Sequence, residues 1–402
     1  MPIAHGIKET MLSPGAAVIR RMFEEGIRLK ERYGEDKVFD FSLGNPDLEP
    51  PPEVFEAIRA VAAEQVPHKH GYMPNAGYGF AREAMARKTT AEQGVRTDAS
   101  CIVMSSGAAA ALNCVFKAIL NPGDTVIVPA PFFAEYRHYV ANQSAVLVEV
   151  PSGEDFSLDV GAVRAALTEK TAAVLINSPN NPSGKVYAQQ EIDALAAVLA
   201  EHGARCGRMP YLVCDEPYRD IVYDSREVAS VFPAYPSAVV VTSFAKNLSL
   251  PGERIGYIAA NPAMPDKDEF IAACVFATRT LGFVNAPAFF QRVAAMSWSA
   301  RQDFSSYERR RDMIMRVLDE AGIRYFRPEG AFYLFCRVPD SFAGDDAAFC
   351  AHLKSHNILC APGGGFGRGG WFRLSYCVPE QTILDSKAAF CMAVAEQNGG
   401  KR

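Results

Sequence analysis

Seven short apolar segments rich in β-branched residues alternate with helical patterns through the middle of the chain. They span residues 101–104, 125–129, 145–150, 172–176, 211–214, 238–242 and 254–259. Strands separated by helices pair in a mostly parallel sheet, with helices on both of its faces. The helices predicted at 108–120 and 189–202 each end at a glycine-containing turn. The sequence therefore predicts an α/β fold with a mostly parallel seven-stranded sheet covered by helices.

The pattern changes beyond about residue 290. A long helix and two short strands are predicted there, at 291–321, 331–338 and 371–376. A helix predicted at 18–32 precedes a proline-rich break and is expected to pack with this C-terminal part. A chain of 402 residues usually forms more than one domain. We predict a large domain at 46–290 and a smaller α+β domain built from 1–45 and 291–402.

Composition narrows the classes of function. Hydrophobic residues make up 49% and charged residues 22% of the chain, and the formal net charge is −5. This balance offers no basic stripe for nucleic acid, so no nucleic-acid partner is expected. No segment reaches the roughly 18 consecutive apolar residues of a membrane span, and the N-terminus does not resemble a signal peptide. We expect a cytoplasmic protein that acts on small molecules and has no membrane partner.

Three patterns suggest sites that the surrounding sequence does not support. The ten cysteines form no CxxC pair, which favours reduced, buried thiols over a zinc site. His352 and His356 stand four residues apart, but no third ligand lies nearby in sequence, so we expect a solvated pair and no metal. The run 365–370 matches GxGxxG, yet a strand pattern follows it instead of a helix, which indicates a flexible loop.

Lys246 and Arg254 lie eight residues apart among small turn residues. A lysine forms a Schiff base readily only when its amine is partly neutral, and burial or a neighbouring cation favours the neutral form. Arg254 would also hold an anionic group. The pair suggests a phosphorylated aldehyde cofactor, although two solvated surface charges would give the same pattern.

Two further segments place polar groups at the ends of predicted strands. Small residues at Gly107, Ala108 and Ala109 open a helix, where free N–H groups and the helix dipole favour a phosphate. An alanine-rich start is also simply good helix sequence. Asp215 ends another strand, where ligands bind in open α/β sheets. It could protonate a heteroaromatic nitrogen or merely cap the next turn.

The loop 177–184 also follows a strand. The second of its two consecutive asparagines, Asn181, could donate a hydrogen bond to a phenolate-like oxygen.

Eight motifs occur in order along the chain. They are Leu-Gly-Asn-Pro-Asp at 43–47, Gly-Tyr-Met-Pro-Asn-Ala-Gly at 71–77, Ser-Gly-Ala at 106–108, Pro-Ala-Pro-Phe-Phe at 129–133, Asn-Asn-Pro-Ser-Gly at 180–184, Asp-Glu-Pro-Tyr at 215–218, Ser-Phe-Ala-Lys at 243–246 with Pro-Gly-Glu-Arg-Ile-Gly at 251–256, and Phe-Arg-Leu-Ser at 372–375. Together they resemble the class I/II, fold-type I aminotransferases, which use pyridoxal 5′-phosphate.

The resemblance implies a role for each motif. Lys246 would hold the cofactor as a Schiff base and move the proton at the substrate Cα. Asp215 would pair with the pyridinium nitrogen, Asn181 and Tyr218 with the phenolic oxygen, and Phe133 would stack on the ring. The phosphate would be held by Gly107, Ala108, Ala109, Ser243 and Arg254, with Tyr72 of the partner subunit of a homodimer. In this family a hydroxyl or lysine is frequent at 108 and 109, so backbone N–H groups carry more of the phosphate binding here.

The resemblance also implies how substrate binds. Arg373 would take the α-carboxylate in a bidentate pair, helped by the Gly44 backbone and near Asn181. An acidic side chain of the substrate would need another cation. The candidates are Lys117, Lys69 and Arg279, although each is more simply explained as a solvated surface charge. The resemblance fits aspartate, alanine, aromatic or other donors, and we favour aspartate.

The predicted reaction is ping-pong transfer of an amino group from an L-amino acid to a 2-oxo acid. The same cofactor and lysine also serve lyases and decarboxylases, and the sequence does not show which bond at Cα is aligned for cleavage. A third possibility is a ligand-sensing module of a transcription regulator. Such proteins carry a DNA-binding domain, and only about 40 residues precede the motif at 43–47.

Overall fold

A computed structural model describes residues 3–4, 7–8 and 16–399 of the chain. Its strands are β1 Phe39–Asp40, β2 Ile102–Ser105, β3 Thr125–Pro129, β4 Val146–Val150, β5 Thr171–Asn177, β6 Tyr211–Asp215, β7 Ala238–Ser243, β8 Gly256–Ala260, β9 Tyr325–Phe326, β10 Tyr333–Arg337, β11 Ile358–Leu359, β12 Ala361–Pro362 and β13 Trp371–Ser375. Its helices of four or more residues from residue 16 onward, apart from 3-10 turns, are α1 Ala16–Tyr33, α2 Pro52–Ala63, α3 Gly79–Gln93, α4 Ala108–Ile119, α5 Tyr136–Ala141, α6 Val160–Ala166, α7 Gln189–Cys206, α8 Phe244–Asn247, α9 Lys267–Thr280, α10 Ala288–Ser297, α11 Ser305–Ala321, α12 Asp346–Ser355 and α13 Glu380–Gly399.

The predicted seven-stranded sheet is confirmed. Its strand order is β2-β8-β7-β6-β5-β3-β4, and the pairs among β3 to β7 are parallel. Only β8 runs antiparallel to its neighbours β2 and β7. Every residue of β5, β7 and β8 is buried, because helices cover both faces. The strand predicted to start at Arg254 starts at Gly256, because Arg254 adopts a left-handed backbone with φ +52°.

A second, four-stranded sheet has the order β12-β13-β10-β9 and is antiparallel throughout. The short strand β1 pairs in parallel with β11, which ties residues 39–40 to the C-terminal part of the chain. Helix α1 packs there too, since Glu25 forms an ion pair of 2.8 Å with Lys354. Part of the range 1–45 lies outside the described residues. The division into two domains therefore remains a proposal.

The continuous helix predicted at 291–321 was wrong, because the structure has two helices, α10 and α11, joined by residues 298–304. The carboxylate of Asp303 accepts hydrogen bonds from the backbone N–H and the hydroxyl of Ser305, at 2.9 and 3.0 Å. This local bonding satisfies a free N–H at the start of α11 and begins a new helix.

The GxGxxG run, 365–370, begins at the end of a 3-10 turn, Gly363–Phe366, and strand β13 follows it as expected. Gly367 has φ +80°, and a Cβ there would lie 2.8 Å from the ring of Phe132. The segment therefore packs against the loop that follows β3, and it is less free than the flexible loop that the sequence predicts. No helix in the described part of the chain is long and apolar enough to cross a membrane.

Candidate active site

A cavity of about 310 Å³ opens where the carboxyl ends of the large sheet's strands face β10 and β13. In parallel sheets these strand ends are the usual place for a ligand. All the predicted site residues except Gly107 and Tyr72 line this cavity. They are Gly44, Ala108, Ala109, Phe133, Asn181, Asp215, Tyr218, Ser243, Lys246, Arg254 and Arg373.

Lys246 lies on the one-turn helix α8, directly after β7. Its Nζ donates a hydrogen bond of 2.6 Å to the Gly44 carbonyl and lies 5.4 Å from the centre of the Phe332 ring. Burial, together with the nearby cations of Arg373 and Arg254, lowers the pKa of Lys246 to about 8. Roughly a tenth of this amine is therefore neutral at pH 7, which makes it far more available as a nucleophile than an ordinary lysine.

Asp215 ends strand β6 and is buried. Its Oδ2 accepts a 2.6 Å hydrogen bond from the Tyr136 hydroxyl, and its backbone carbonyl accepts one of 2.8 Å from Asn177. Oδ1 is buried and has no hydrogen-bond partner among the residues that the structure describes. Burial raises the pKa of Asp215 to about 7, partly offset by the Tyr136 hydrogen bond. A buried carboxyl with one free oxygen is suited to a cationic donor within the cavity.

Small residues and a guanidinium meet at the start of α4. Gly107 has φ +88°, and a Cβ there would lie 2.8 Å from Nη2 of Arg254. Glycine is thus required both for the backbone and for the close approach of the cation. Ala108 and Ala109 open the helix with free N–H groups, and Ser243 lines the same cavity. Together they form a site of the kind that binds phosphate.

Arg373 is buried on β13 and points toward Asn181. Its Nη1 donates to Oδ1 of Asn181 at 2.9 Å, and its Nη2 donates to the Ser42 carbonyl at 2.7 Å. Its Nε is buried and receives no hydrogen-bond partner from the described part of the chain. The Tyr333 ring lies 4.6 Å from the guanidinium carbon and supports it through a cation–π contact. The side chain is therefore held in place with bonding capacity left for an anion.

The remaining predicted residues lie away from the cavity of this chain. Tyr72 is 94% exposed. Lys117 and Arg279 are exposed and do not line the cavity. Lys69 donates to the carbonyls of Val61 and Glu64, at 2.8 and 2.9 Å, and so caps the C-terminal end of α2.

Sequence reasoning missed four polar side chains that line the cavity, Tyr136, Tyr139, Asn177 and Tyr333. Tyr136 holds Asp215, and Asn177 accepts from the backbone N–H of Asn181 at 2.7 Å. Tyr333 shares a hydrogen bond of 2.9 Å with the Tyr218 hydroxyl. Asn177 ends β5 and Tyr136 follows β3 closely, so the rule that ligands bind at the carboxyl ends of parallel strands would have flagged both.

Comparison with known proteins agrees with this geometry. Residues 36–385 match the family described as "Aminotransferase class I and II". The chain belongs to this family. The aminotransferase is 33% identical to the "Probable aspartate/prephenate aminotransferase" of Aquifex aeolicus, over 87% of this chain and 89% of that protein. It is also 33% identical to the "Aspartate/prephenate aminotransferase" of Thermus thermophilus, over 89% and 91% of the two chains.

Solved structures show the same fold. A crystal structure of an amino transferase from Eubacterium rectale matches with a TM-score of 0.94 and 36% identity, over 99% of this chain and 100% of that chain. The aspartate aminotransferase of Thermus thermophilus with maleate matches with a TM-score of 0.86 and 29% identity, over 98% and 100%. The protein is thus a pyridoxal 5′-phosphate-dependent aminotransferase, since its family uses that cofactor.

The cavity fits this cofactor chemically. The free, buried Oδ1 of Asp215 suits a protonated ring nitrogen, and Lys246 offers a partly neutral amine for the aldehyde. The cradle of Gly107 and Arg254 suits the phosphate. Asp215, Lys246 and Arg254 all line the same cavity, and Gly107 lies against the guanidinium of Arg254.

Replacing Asp215 with asparagine should affect the cofactor-free and cofactor-bound proteins in opposite directions. The pKa of Asp215 is about 7 when folded and about 3.8 when unfolded. Such a raised pKa stabilises the fold below pH 3.8, and this stability is lost as pH rises through 7. An asparagine at position 215 does not ionise, so the variant does not lose this stability. Without cofactor, we expect the variant to gain up to about 4 kcal/mol over wild type between pH 4 and 7, with no further gain above.

With cofactor, the same variant should bind more weakly, because the ring nitrogen loses its anionic partner. Thermal unfolding across pH, with and without cofactor, measures both effects. Asp193→Asn is the matched control and should change neither, because Asp193 is exposed on α7 and asparagine can still accept its hydrogen bond from Gln189. A variant that binds cofactor as tightly as wild type would contradict the role given to Asp215.

Proposed function

We propose that this enzyme transfers an amino group from an L-amino acid, with aspartate preferred, to a 2-oxo acid by a ping-pong mechanism. The observation that carries the proposal is the pairing, in one cavity, of the amine of Lys246 with the unpaired buried oxygen of Asp215. When bound, pyridoxal 5′-phosphate supplies an aldehyde for the amino group and a ring that withdraws electrons from the substrate Cα.

In this proposal Lys246 has two tasks. Its Nζ would hold the cofactor covalently, and the same amine would accept and return the proton at the substrate Cα. Both tasks need an amine that is neutral part of the time, and a pKa of about 8 provides that at neutral pH. The Gly44 carbonyl orients Nζ by accepting a hydrogen bond of 2.6 Å from it.

The other residues would hold the cofactor and orient it. Asp215 would keep the ring nitrogen protonated, and Tyr136 fixes the orientation of that carboxylate. Tyr218 and Asn181 would hydrogen-bond the phenolic oxygen, while Phe133 would stack on the ring. The phosphate would be bound by Gly107, Ala108, Ala109, Ser243 and Arg254.

Arg373 would bind the substrate α-carboxylate, with Gly44 beside it. The residue lies on β13, in the sheet that we assign to the small domain formed by 1–45 and 291–402. The cofactor residues lie in the proposed large domain, 46–290. Movement of the small domain toward the large one would bring the guanidinium onto the substrate and exclude water.

We also propose a cytoplasmic homodimer. Tyr72 is 94% exposed and would reach the phosphate bound by the other chain. Each active site would then contain Tyr72 of the partner subunit. The exposure of a large aromatic residue within a motif of the family supports this assignment.

The preference for aspartate is supported by the relatives, several of which are named as aspartate or aspartate/prephenate aminotransferases. Among the described residues, the cations that line the cavity are Lys246, Arg254 and Arg373. All three already have roles, so a side-chain carboxylate needs a cation from elsewhere. Lys69 stands three residues from Tyr72, and a dimer contact that brings in one would bring the other close; Lys117 and Arg279 are the other candidates.

Half-reactions with single amino acids test this function. Without any 2-oxo acid, aspartate should convert the bound cofactor once and release one equivalent of 2-oxo acid per active site. Aspartate should react at least about tenfold faster than alanine, because each well-placed charge contact contributes on the order of 1.4 kcal/mol or more. The change in cofactor absorbance gives the rates. Steady release of pyruvate, sulfide or carbon dioxide would instead show a lyase or decarboxylase.

A further inference from the structure

Two histidines lie together at the end of α12, away from the active-site cavity. His352 is in the last turn of the helix and His356 follows it, and the centres of their rings are 5.1 Å apart. Residues four apart on a helix share one face, so both rings can meet a common ligand. Neither residue lines the active-site cavity.

The fold adds a third ligand that lies far away in sequence. Glu396, on α13, places Oε2 3.2 Å from Nε2 of His356, although 40 residues separate them. Ligand atoms of His352, His356 and Glu396 all lie within 4.8 Å of one another. We expected a solvated pair because no third ligand is near in sequence. In the folded protein, however, a residue from a distant part of the sequence supplies the third ligand.

The surroundings orient the first of these rings. The Ala393 carbonyl lies 2.8 Å from Nε2 of His352. A carbonyl can only accept, so Nε2 carries the proton and the lone pair is left on Nδ1. Histidines that bind metals are commonly oriented in this way, with one nitrogen donating to a carbonyl and the other binding the ion.

We propose that His352, His356 and Glu396 bind a divalent transition-metal ion of the zinc type. Two imidazoles and one carboxylate are a donor set that suits Zn²⁺ and not Mg²⁺ or Ca²⁺, which prefer oxygen ligands. Bonds of about 2.0–2.1 Å in a tetrahedron put neighbouring ligand atoms about 3.4 Å apart. The 3.2 Å between His356 and Glu396 already matches one such edge.

The site is open to solvent on one side and joins two helices. The Glu396 side chain is 60% exposed and that of His356 is 13% exposed, so an ion can enter past the glutamate. Water would complete the coordination. The ion would fasten α13, near its C-terminal end, to α12. It would therefore stabilise the fold without taking part in transamination.

Metal titration of the full-length, cofactor-loaded enzyme without a histidine tag tests the proposal. Calorimetry with ZnCl₂ should show one tight site per chain, and the unfolding temperature should rise with zinc but not with MgCl₂ at the same concentration. His352→Gln, His356→Gln and Glu396→Gln should each weaken zinc binding roughly tenfold or more. Cobalt(II) should give the visible absorption of a tetrahedral ion in wild type and lose it in the variants.

His70→Gln, an exposed histidine elsewhere, is the matched control and should bind zinc as wild type does. The three ligand variants should keep wild-type transamination and cofactor absorbance, which shows that they fold. Zinc affinity that is the same in wild type and in the three ligand variants would overturn the proposal, and so would a wild type that binds no zinc. In either case the three residues form only a hydrogen-bonded cluster.

Discussion

Replacing Lys246 with alanine is expected to abolish the characteristic absorbance of the attached cofactor and to lower turnover by about 10⁴-fold. The variant loses both the covalent attachment and the amine that moves the proton at Cα, and general acid–base catalysis alone is typically worth about 10²- to 10⁴-fold. Absorbance spectra and steady-state assays with a 2-oxo acid acceptor measure the two effects.

Two further observations make the result specific. Lys170→Ala removes an exposed lysine from a turn and should leave both properties unchanged. Small primary amines added to Lys246→Ala should restore part of the turnover, because they can enter the space that the side chain vacates. Full absorbance and turnover in Lys246→Ala would mean that another group holds the cofactor.

Replacing Arg373 with lysine should lower kcat/KM by on the order of 10²-fold for every amino acid tested. A lysine cannot reproduce the bidentate pair with a carboxylate, and losing one partner of a buried charge pair costs about 2–5 kcal/mol. The loss should not depend on the side chain of the substrate, since all α-amino acids carry the same carboxylate. Kinetics with aspartate and alanine measure it.

Arg337→Lys, on the neighbouring strand β10, is the matched control. Arg337 is exposed, and its guanidinium lies over the Trp371 ring. Its replacement should therefore leave kcat/KM unchanged. Cofactor absorbance should be normal in both variants, which separates a substrate effect from misfolding. If Arg373→Lys retained kcat/KM within twofold of wild type, the carboxylate would bind elsewhere.

The strands of the large sheet could be predicted from sequence because both faces of the sheet are covered. Strands such as β5 and β7 are buried at every residue, and this leaves continuous apolar runs that are easy to recognise. The break between α10 and α11 could not be predicted in the same way. At this break Asp303 accepts a hydrogen bond from one backbone N–H, that of Ser305, and a single polar side chain hardly alters the apolar pattern.

The candidate site also has parts that can be predicted from the sequence and parts that cannot. Asp215, Lys246 and Asn181 follow strands directly, so the topology of the sheet brings them together. The hydroxyl that holds Asp215 comes from Tyr136, 79 residues earlier in the chain. The position of Tyr136 after β3 indicates that it lies near the site, but its contact with Asp215 depends on how a short helix packs. Glu396 likewise meets His356 only in the folded chain.

The claim that the cofactor is attached at residue 246 can be tested by a single measurement. Reducing the cofactor-loaded enzyme with borohydride makes the attachment permanent, and peptide mass spectrometry then locates it. We expect one phosphopyridoxyl group per chain, on the peptide that contains Lys246. A label on any other lysine, or no label on a coloured, active enzyme, would contradict the account.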